Sequence, residues 1–441
     1  MLVSNSDIDT VAHSGGTGTQ ARFWAVIVPM VLGFAWMAFT VFRYWNNWAP
    51  DLSAIYFAGH FYANGEFEAV FAAPPDLFSQ SRPEAWAALA GSLGYEDELT
   101  YPFVYPPIWA AAVAPLTQIM GPFAFFNLFL VVQSALAMCM VFLTYRLARP
   151  AMPLALWVLL GFGLLVTTAS GASAFFHNQL QISVSFLTVL AFERLASGKS
   201  MQAGMVLALA AAIKLSPVLL VLIFLVERDR RAILAFLITG GALGVLSLLI
   251  AGIDMHLVFL ERLRDISGVI AVIKSNYGFE AFLATLFVLP DLNGAAVTGP
   301  ILDTMIWEPL WISVVVKLAL ILAICGVLWR SRKLDRRMRI AVNLVGMSIA
   351  TTLFGPLSWA YHYMLPLLFV PLFLQFFGER VGTVAVLAVF ALGNSEVYDL
   401  LVAMSLRVHL PIVVGVLMFT LILLAFVFGP KPSATAGQPE R

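Results

Sequence analysis

Charged residues are scarce in this chain. Asp, Glu, Lys and Arg make up only 11% of its 441 residues, whereas soluble domains typically carry about 25%. Hydrophobic residues make up 61%. A water-soluble fold of this length could not hide so much apolar surface. The composition therefore excludes an ordinary soluble protein and indicates one that lies in lipid.

The chain also has no net charge, only two cysteines and no visible internal repeat. The formal net charge is zero, which gives no reason to expect nucleic acid as a partner. The only cysteines, Cys139 and Cys325, are too few for a disulfide framework or a metal cluster. No repeat supports the inverted symmetry of many transporters. No small-residue cleavage site follows the first apolar run, so we expect no cleavable signal peptide.

Long apolar runs are abundant instead. Segments of roughly 18 or more apolar residues recur, and each is long enough to cross a hydrocarbon core about 30 Å thick. Because lipid offers no hydrogen-bond partners, such a segment must satisfy its own backbone groups, as a helix does. The sequence therefore predicts an all-α polytopic membrane protein with about 10–13 transmembrane or half-membrane helices.

Three basic clusters predict the orientation of these helices, because Lys and Arg in short loops mark the cytoplasmic side. They are Arg146 with Arg149, residues 228–231 and residues 330–339. If all three lie inside, the ten predicted crossings are Phe23–Phe42, Pro122–Tyr145, Ala151–Ala169, Leu180–Ala196, Ala232–Ala251, Leu310–Trp329, Ile340–Phe354, Tyr363–Phe377, Val381–Leu392 and Leu410–Phe428.

This arrangement predicts one transmembrane domain over residues 23–429, flanked by disordered cytoplasmic termini at residues 1–22 and 430–441. Residues 43–104 form the first extracytoplasmic loop, with eight acidic residues against two basic ones. A loop this long is seldom a passive connector. We expect it to contain short helices on the membrane surface and to roof a cavity.

Three apolar segments do not fit as simple crossings. Pro107–Met120 and Phe282–Leu289 are too short, and Met201–Val226 has basic residues at both ends. Such segments are tolerated when they are buried in protein or line a cavity. We therefore predict that Met201–Val226 is a re-entrant hairpin, with its apex near Lys214 in the outer half of the membrane.

Lys214 is the most informative polar residue, because it lies within the apolar segment AAAIKLSPVLLVL. A lysine inside the membrane is costly and therefore suggests a functional site. Its expected partner is a phosphate group. The alternative is a structural ion pair with a buried acid.

Asp51 follows the first predicted span in the sequence WAPDLSAIYFAG. An acid near the lipid interface can have a raised pKa and act as a general base on a sugar hydroxyl. The alternative is helix N-capping, since Pro50-Asp51 resembles the start of a helix. The two roles are compatible.

Other polar residues map to the same outer face. His177 and Gln179 precede an inward span and are candidates for binding sugar hydroxyls, or alternatively for capping and interfacial anchoring. Tyr105 lies before Pro106-Pro107, where a rigid helix start is the simpler interpretation. Further substrate-binding candidates are Lys274, Asn276, Trp359 and His362. The clustering of these residues predicts one cavity that opens outward.

Five motifs in this order resemble glycosyltransferase family 87, which is of the GT-C type. They are DLSAIYFAG at Asp51, YPP at Tyr105, NQLQ at Asn178, KLSP at Lys214 and SWAYH ending at His362. Two positions depart from the family's pattern. Asn178 stands where Gly is common, and Tyr361 stands where a first His often precedes His362.

The resemblance implies a GT-C-like helical bundle and an inverting hexosyltransferase. Its donor would be a polyprenyl-phosphate sugar, typically mannose, and its acceptor an extracytoplasmic lipid or glycan. Asp51 would act as the base, Lys214 and His362 would stabilise the leaving phosphate, and Gln179 and Asn276 would position oxygens. No metal or other cofactor is expected, because the cationic side chains can neutralise a single phosphate.

The resemblance also implies an enzyme of the cell inner membrane with its active site facing the periplasm or exterior. A transporter or flippase of lipid-linked sugars would likewise need an outward cavity with buried charges. A catalytically inactive scaffold in envelope synthesis is a third possibility. Substitution of Asp51 separates these alternatives, because only the enzyme requires a base.

Overall fold

The computed structural model describes residues 17–72, 83–289 and 303–429. Its elements in chain order are α1 (Thr17–Tyr44), α2 (Pro50–Ala63), α3 (Phe67–Val70), α4 (Glu84–Ser92), α5 (Ile108–Ile119), α6 (Pro122–Ala148), α7 (Leu154–Thr167), α8 (Ala169–Phe176), α9 (Gln181–Ala196), α10 (Ser200–Ile213), α11 (Val221–Val226), α12 (Arg230–Ser267), β1 (Val269–Val272), α13 (Phe279–Phe287), β2 (Thr304–Trp307), α14 (Leu310–Ser331), α15 (Arg336–Leu353), α16 (Met364–Leu367), α17 (Phe373–Gly393), α18 (Ser395–Ala403) and α19 (Leu410–Phe428). Short 3₁₀ segments precede α11, α16 and α17.

Apolar helices dominate the described residues, and six are long and apolar enough to cross a membrane. Four shorter apolar helical segments accompany them. These findings confirm the prediction of an all-α polytopic membrane protein. The antiparallel pair of β1 and β2, in which Val269 lies opposite Trp307, was not predicted from the sequence.

Several predicted boundaries are corrected. Helix α1 begins at Thr17, so residues 17–22 are helical rather than part of a disordered tail. The predicted tails at residues 1–16 and 430–441 lie outside the described residues. Helix α12 continues past Ala251 to Ser267, with a bend where Gly252 has a φ of 77°.

The predicted crossing Tyr363–Phe377 is also wrong, because residues 360–372 form short 3₁₀ and α segments instead of one helix. Helix α17 begins only at Phe373, and it bends at Gly378, which has a φ of 78°. Pro366 and Pro371 lie within the irregular stretch, and proline removes a backbone donor from a helix.

The segment from α10 to α11 is a hairpin, as its flanking charges predict. The helix ends at Lys214, whose backbone is extended at φ −146° and ψ 132°. At the hairpin's base, the Ser200 hydroxyl donates to an Asp229 carboxylate oxygen at 2.5 Å. Gly204 allows α10 to approach α12 closely, since a Cβ there would lie 2.1 Å from the Ala232 carbonyl oxygen. Both ends of the hairpin therefore lie on the same side.

The three basic clusters meet at this side, which we call the basic side. Arg337 donates to the carbonyl oxygens of Arg146 and Ala196 at 2.6 and 3.1 Å. Arg336 lies 4.0 Å from an Asp229 carboxylate oxygen, and Arg339 forms two bonds with the neighbouring Glu227 carboxylate, at 2.6 and 3.0 Å. Direct contacts thus join clusters that are far apart in the sequence, as the common-side prediction requires.

The described parts of the loop after α1, residues 45–72 and 83–104, contain short helices, as predicted. It has its own apolar core, in which the Trp48 indole donates to the Leu99 carbonyl at 2.6 Å and the Trp86 indole donates to the Ala69 carbonyl at 2.7 Å. Helix α6 has 27 residues, about 40 Å at 1.5 Å per residue. Because α6 starts beside this loop and ends in the basic cluster at Arg146, the loop and the basic side lie at opposite ends of the bundle.

Candidate active site

A cavity of about 1920 Å³ opens beneath the loop. One part of its wall comes from the loop, the connection between α8 and α9, the bend at the hairpin apex and the segment before α16. Seven of the nine predicted site residues line it: Asp51, Tyr105, His177, Gln179, Lys214, Trp359 and His362. The structure thus brings together residues from five separate parts of the chain.

Asp51 points into the cavity from the first turn of α2. Ala49 occupies the N-cap position and Pro50 begins the helix, so the alternative that Asp51 is the N-cap is wrong. Its carboxylate instead lies 3.2 Å from Nδ1 of His177 and beside the Gln179 side chain. Burial raises the pKa of Asp51, although the nearby His177 and Lys214 act in the opposite direction. The carboxylate is only 18% exposed, which suits a base that is shielded from bulk water.

The connection between α8 and α9 presents His177 and Gln179 to Asp51. It turns at Asn178, whose φ of 47° lies in the left-handed region that favours glycine and that Asn tolerates. The Asn178 side chain accepts from Gln133 at 2.8 Å and donates to the Phe126 carbonyl at 2.8 Å. The position where the resembled family often has Gly thus keeps a backbone shape that glycine would adopt.

Gln179 links three parts of the site. Its side-chain oxygen accepts a hydrogen bond from the Tyr105 hydroxyl at 2.6 Å, and its side chain lies beside Asp51 and Tyr361. The bond from Tyr105 restrains this buried amide and holds Gln179 beside the Asp51 carboxylate.

Lys214 and His362 form a pair across the cavity. The Lys214 ammonium lies 2.6 Å from Nε2 of His362 and 5.5 Å from the centre of the Tyr361 ring. Burial, and then the charge of Lys214, lower the pKa of His362 well below its usual value. The neutral imidazole therefore accepts a hydrogen bond from the ammonium through Nε2. Among the described residues no carboxylate lies within 4.0 Å of the Lys214 ammonium, so a close structural ion pair does not explain it.

Two tyrosines in the cavity wall were not predicted as site residues. Tyr101 packs beside His177 with ring centres 5.9 Å apart, and the Tyr361 ring centre lies 6.3 Å from the same imidazole. Burial, followed by the charges of Asp51 and Asp303, raises the pKa of Tyr101 to about 12. The position of Tyr361 next to His362 was the one sequence feature that could have identified Tyr361 as a site residue. No feature of the local sequence indicated Tyr101.

The remaining two predicted residues lie outside the cavity wall. Lys274 is exposed and faces Asp303 at 3.7 Å. Asn276 is fully buried, and its side chain donates to the Ala271 carbonyl and accepts from the backbone N–H groups of Gly278 and Ser358. Asn276 thus positions the segment that leads to His362, because one of these bonds is to Ser358 of that segment.

Asn276→Ala should destabilise the protein and lower its activity together. It leaves two N–H groups and one carbonyl buried without partners, at about 1–3 kcal/mol for each group. Thermal unfolding of the purified protein in detergent measures the loss of stability. Lys274→Ala is the matched control and should change little, since exposed ion pairs contribute about 0–1 kcal/mol. Unchanged unfolding of Asn276→Ala would contradict the positioning role.

No group of three or more His, Cys, Asp or Glu side chains within the described parts of the chain is arranged to hold a metal ion. Around Asp51 and Lys214 the cavity wall presents a carboxylate, an ammonium with its imidazole partner, a second imidazole, an amide and several phenols. Such groups can accept a proton, stabilise an anion and bind hydroxyl groups.

The fold and the cavity define a class of protein. It is a multi-pass membrane protein with polar side chains gathered in one large cavity at one end of its helices. The chain belongs to glycosyltransferase family 87, whose family model matches residues 103–356, more than half of its length. It is therefore a membrane glycosyltransferase. The matched range includes His177, Gln179 and Lys214, whereas Asp51 and His362 lie outside it. No curated protein and no solved structure matches the chain.

Proposed function

We propose that the protein is an inverting hexosyltransferase of the GT-C type that moves a sugar, mannose in the first instance, from a polyprenyl-phosphate donor to a lipid or glycan acceptor. The observation that carries this proposal is the shared cavity of Asp51 and the Lys214–His362 pair. A carboxylate and a cation that face one space suit a reaction that removes a proton at one point and releases a phosphate at another.

The proposed reaction is a single displacement. Asp51 takes the proton of an acceptor hydroxyl, and the hydroxyl oxygen forms a bond to the anomeric carbon of the sugar. The bond between that carbon and the phosphate oxygen breaks, and its electrons leave with polyprenyl phosphate. Because negative charge grows on the departing phosphate, the Lys214 ammonium stabilises the transition state more than the bound donor.

The neighbours of these two groups have supporting roles in the proposal. His362 accepts a hydrogen bond from the Lys214 ammonium at 2.6 Å and so directs the other N–H groups of the ammonium toward the cavity. Gln179 and His177 hold the Asp51 carboxylate. The rings of Tyr101, Tyr105, Trp359 and Tyr361 line the wall, and aromatic faces suit the apolar face of a sugar.

We propose that the cavity faces the periplasm or exterior of a cell inner membrane, because the basic side lies at the opposite end of the bundle. Cysteine labelling checks this orientation in a Cys139→Ala, Cys325→Ala background. A membrane-impermeant reagent should label Asp97→Cys in intact cells, and should label Lys333→Cys only after permeabilisation. The reverse pattern would place the active site in the cytoplasm.

The direct test is transfer by the purified protein from polyprenyl-phosphate mannose to a panel of envelope lipids. We expect a mannosylated lipid and free polyprenyl phosphate in equal amounts, with inverted anomeric configuration in the product. Movement of the donor across vesicle membranes without any sugar transfer would instead identify a flippase. Transfer of another hexose with no use of mannose would correct the sugar alone.

A further inference from the structure

The cavity has a second polar wall, whose residues lie on other elements than Asp51 and Lys214. Helices α13, α14 and α15 form it. On α14 the residues that line the cavity, Val316, Lys317 and Leu320, lie on one helical face. On α15 the lining residues include Ser348, Thr351 and Thr352, which also share a face. Glu280 of α13 completes this wall, which we call the second compartment.

Lys317 is the charged centre of the second compartment. It lies seven residues after the first residue of α14, about 10 Å along a membrane-spanning helix. Its ammonium donates to the Ser313 hydroxyl at 2.5 Å. In the described part of the chain, no carboxylate lies within 4.0 Å of that ammonium. A membrane-embedded cation without a close counter-ion is costly, and a bound anion would offset that cost.

Glu280 complements this cation. Its side chain is almost fully buried, at 5% exposure, and one carboxyl oxygen accepts the Leu357 N–H at 3.3 Å. Burial, opposed by this hydrogen bond, raises the pKa of Glu280 to about 8. A mostly protonated carboxyl neither repels an anion nor neutralises Lys317, and it can donate a hydrogen bond to a ligand oxygen.

Nothing in the proposed transfer step uses these residues, since one base and one phosphate partner already lie elsewhere in the cavity. A lysine that merely extended toward the membrane surface would need no hydroxyl-bearing helix face and no buried acid around it. The combination of an ammonium, a carboxyl and a hydroxyl-bearing helix face suits a hydroxylated headgroup that carries a negative charge.

We propose that the second compartment binds the phosphate group of a lipid headgroup, with Lys317 on the phosphate and Glu280 on a headgroup hydroxyl. This inference rests on the proposed function, because it assumes a lipid substrate in the cavity. Two lipids can supply the phosphate: an acceptor phospholipid, held while its hydroxyl reaches Asp51, or the polyprenyl-phosphate donor on its way to or from Lys214.

Lys317→Met tests the inference, since methionine keeps an apolar side chain of similar length. The purified variant in nanodiscs should show a KM for one substrate raised about 10-fold or more, the size expected for loss of a charge-assisted hydrogen bond. Its kcat should stay within about 3-fold of wild type, because the charge is not placed at the reacting atoms. A raised acceptor KM identifies the acceptor phosphate, and a raised donor KM identifies the donor.

Two further variants control this experiment. Lys317→Arg keeps the charge and should restore most of the affinity. Lys333→Met removes an exposed lysine on the basic side and should behave as wild type. Unchanged KM values for both substrates in Lys317→Met would overturn the inference, whatever the effect on thermal unfolding.

A binding measurement separates this inference from the proposed function. Undecaprenyl phosphate and phosphatidylinositol serve as probes, and their equilibrium binding to wild type and Lys317→Met is compared without any sugar transfer. Weaker binding of one probe to the variant supports the second compartment, even if the wild type transfers no sugar. Equal binding of both probes rejects it, even if the wild type is an active transferase.

Discussion

Asp51→Asn should lower the rate of sugar transfer by about 100-fold or more, because general-base catalysis typically contributes about 10²–10⁴-fold. Asparagine keeps the size of the side chain and can still contact His177, but it cannot accept the proton of an acceptor hydroxyl. Since Ala49 and not Asp51 is the N-cap of α2, the loss cannot be attributed to helix capping. Turnover of purified donor and acceptor measures the effect.

Donor binding and thermal unfolding of Asp51→Asn should remain close to wild type. Glu66→Gln is the matched control, since Glu66 is an exposed acid of the same loop that does not line the cavity. Near wild-type transfer by Asp51→Asn would remove Asp51 from the mechanism. A strong loss in Glu66→Gln or Glu68→Gln would then assign the base to that residue.

The pH dependence of kcat/KM also tests whether Asp51 is the general base. The base must be ionised, and burial raises the pKa of Asp51. The rate should therefore fall with acidification at a pH above the usual aspartate value of about 3.9. This acid limb should disappear from the residual activity of Asp51→Asn.

Lys214→Met should weaken both donor binding and turnover, which distinguishes it from the Asp51 variant. Removal of one group that stabilises a developing oxyanion typically costs about 10²–10³-fold in kcat. Methionine keeps an apolar side chain at the hairpin apex, so the bend in the backbone at this point should survive. Binding of undecaprenyl phosphate and kcat measured with the complete donor report the two losses separately.

His362→Gln is the informative companion of this variant. Glutamine retains an acceptor for the Lys214 ammonium, so its loss should be smaller than that of Lys214→Met if His362 only orients the lysine. Equal losses would place the imidazole in direct contact with the phosphate. Unaltered donor binding in Lys214→Met would show that the donor phosphate lies elsewhere in the cavity.

The local sequence determined the helical membrane fold, because long apolar runs in lipid must satisfy their own backbone groups. It also determined the hairpin around Lys214, since basic residues at both ends of Met201–Val226 require a return to the same side. The polar residues Asp51, Gln179 and His362 could also be recognised as candidates from the sequence, because they lie among apolar residues. In an apolar chain, each buried polar group needs a partner.

Only the tertiary structure decided which of these residues share a cavity, because their contacts join segments far apart in the sequence. It showed that His362 contacts Lys214 in the cavity, whereas the Asn276 side chain bonds to backbone groups. It added Tyr361 beside the Lys214 ammonium. It also placed Lys317 on the cavity wall. The apolar sequence around Lys317 does not predict this position, because the packing of the helices decides which helical face lines the cavity.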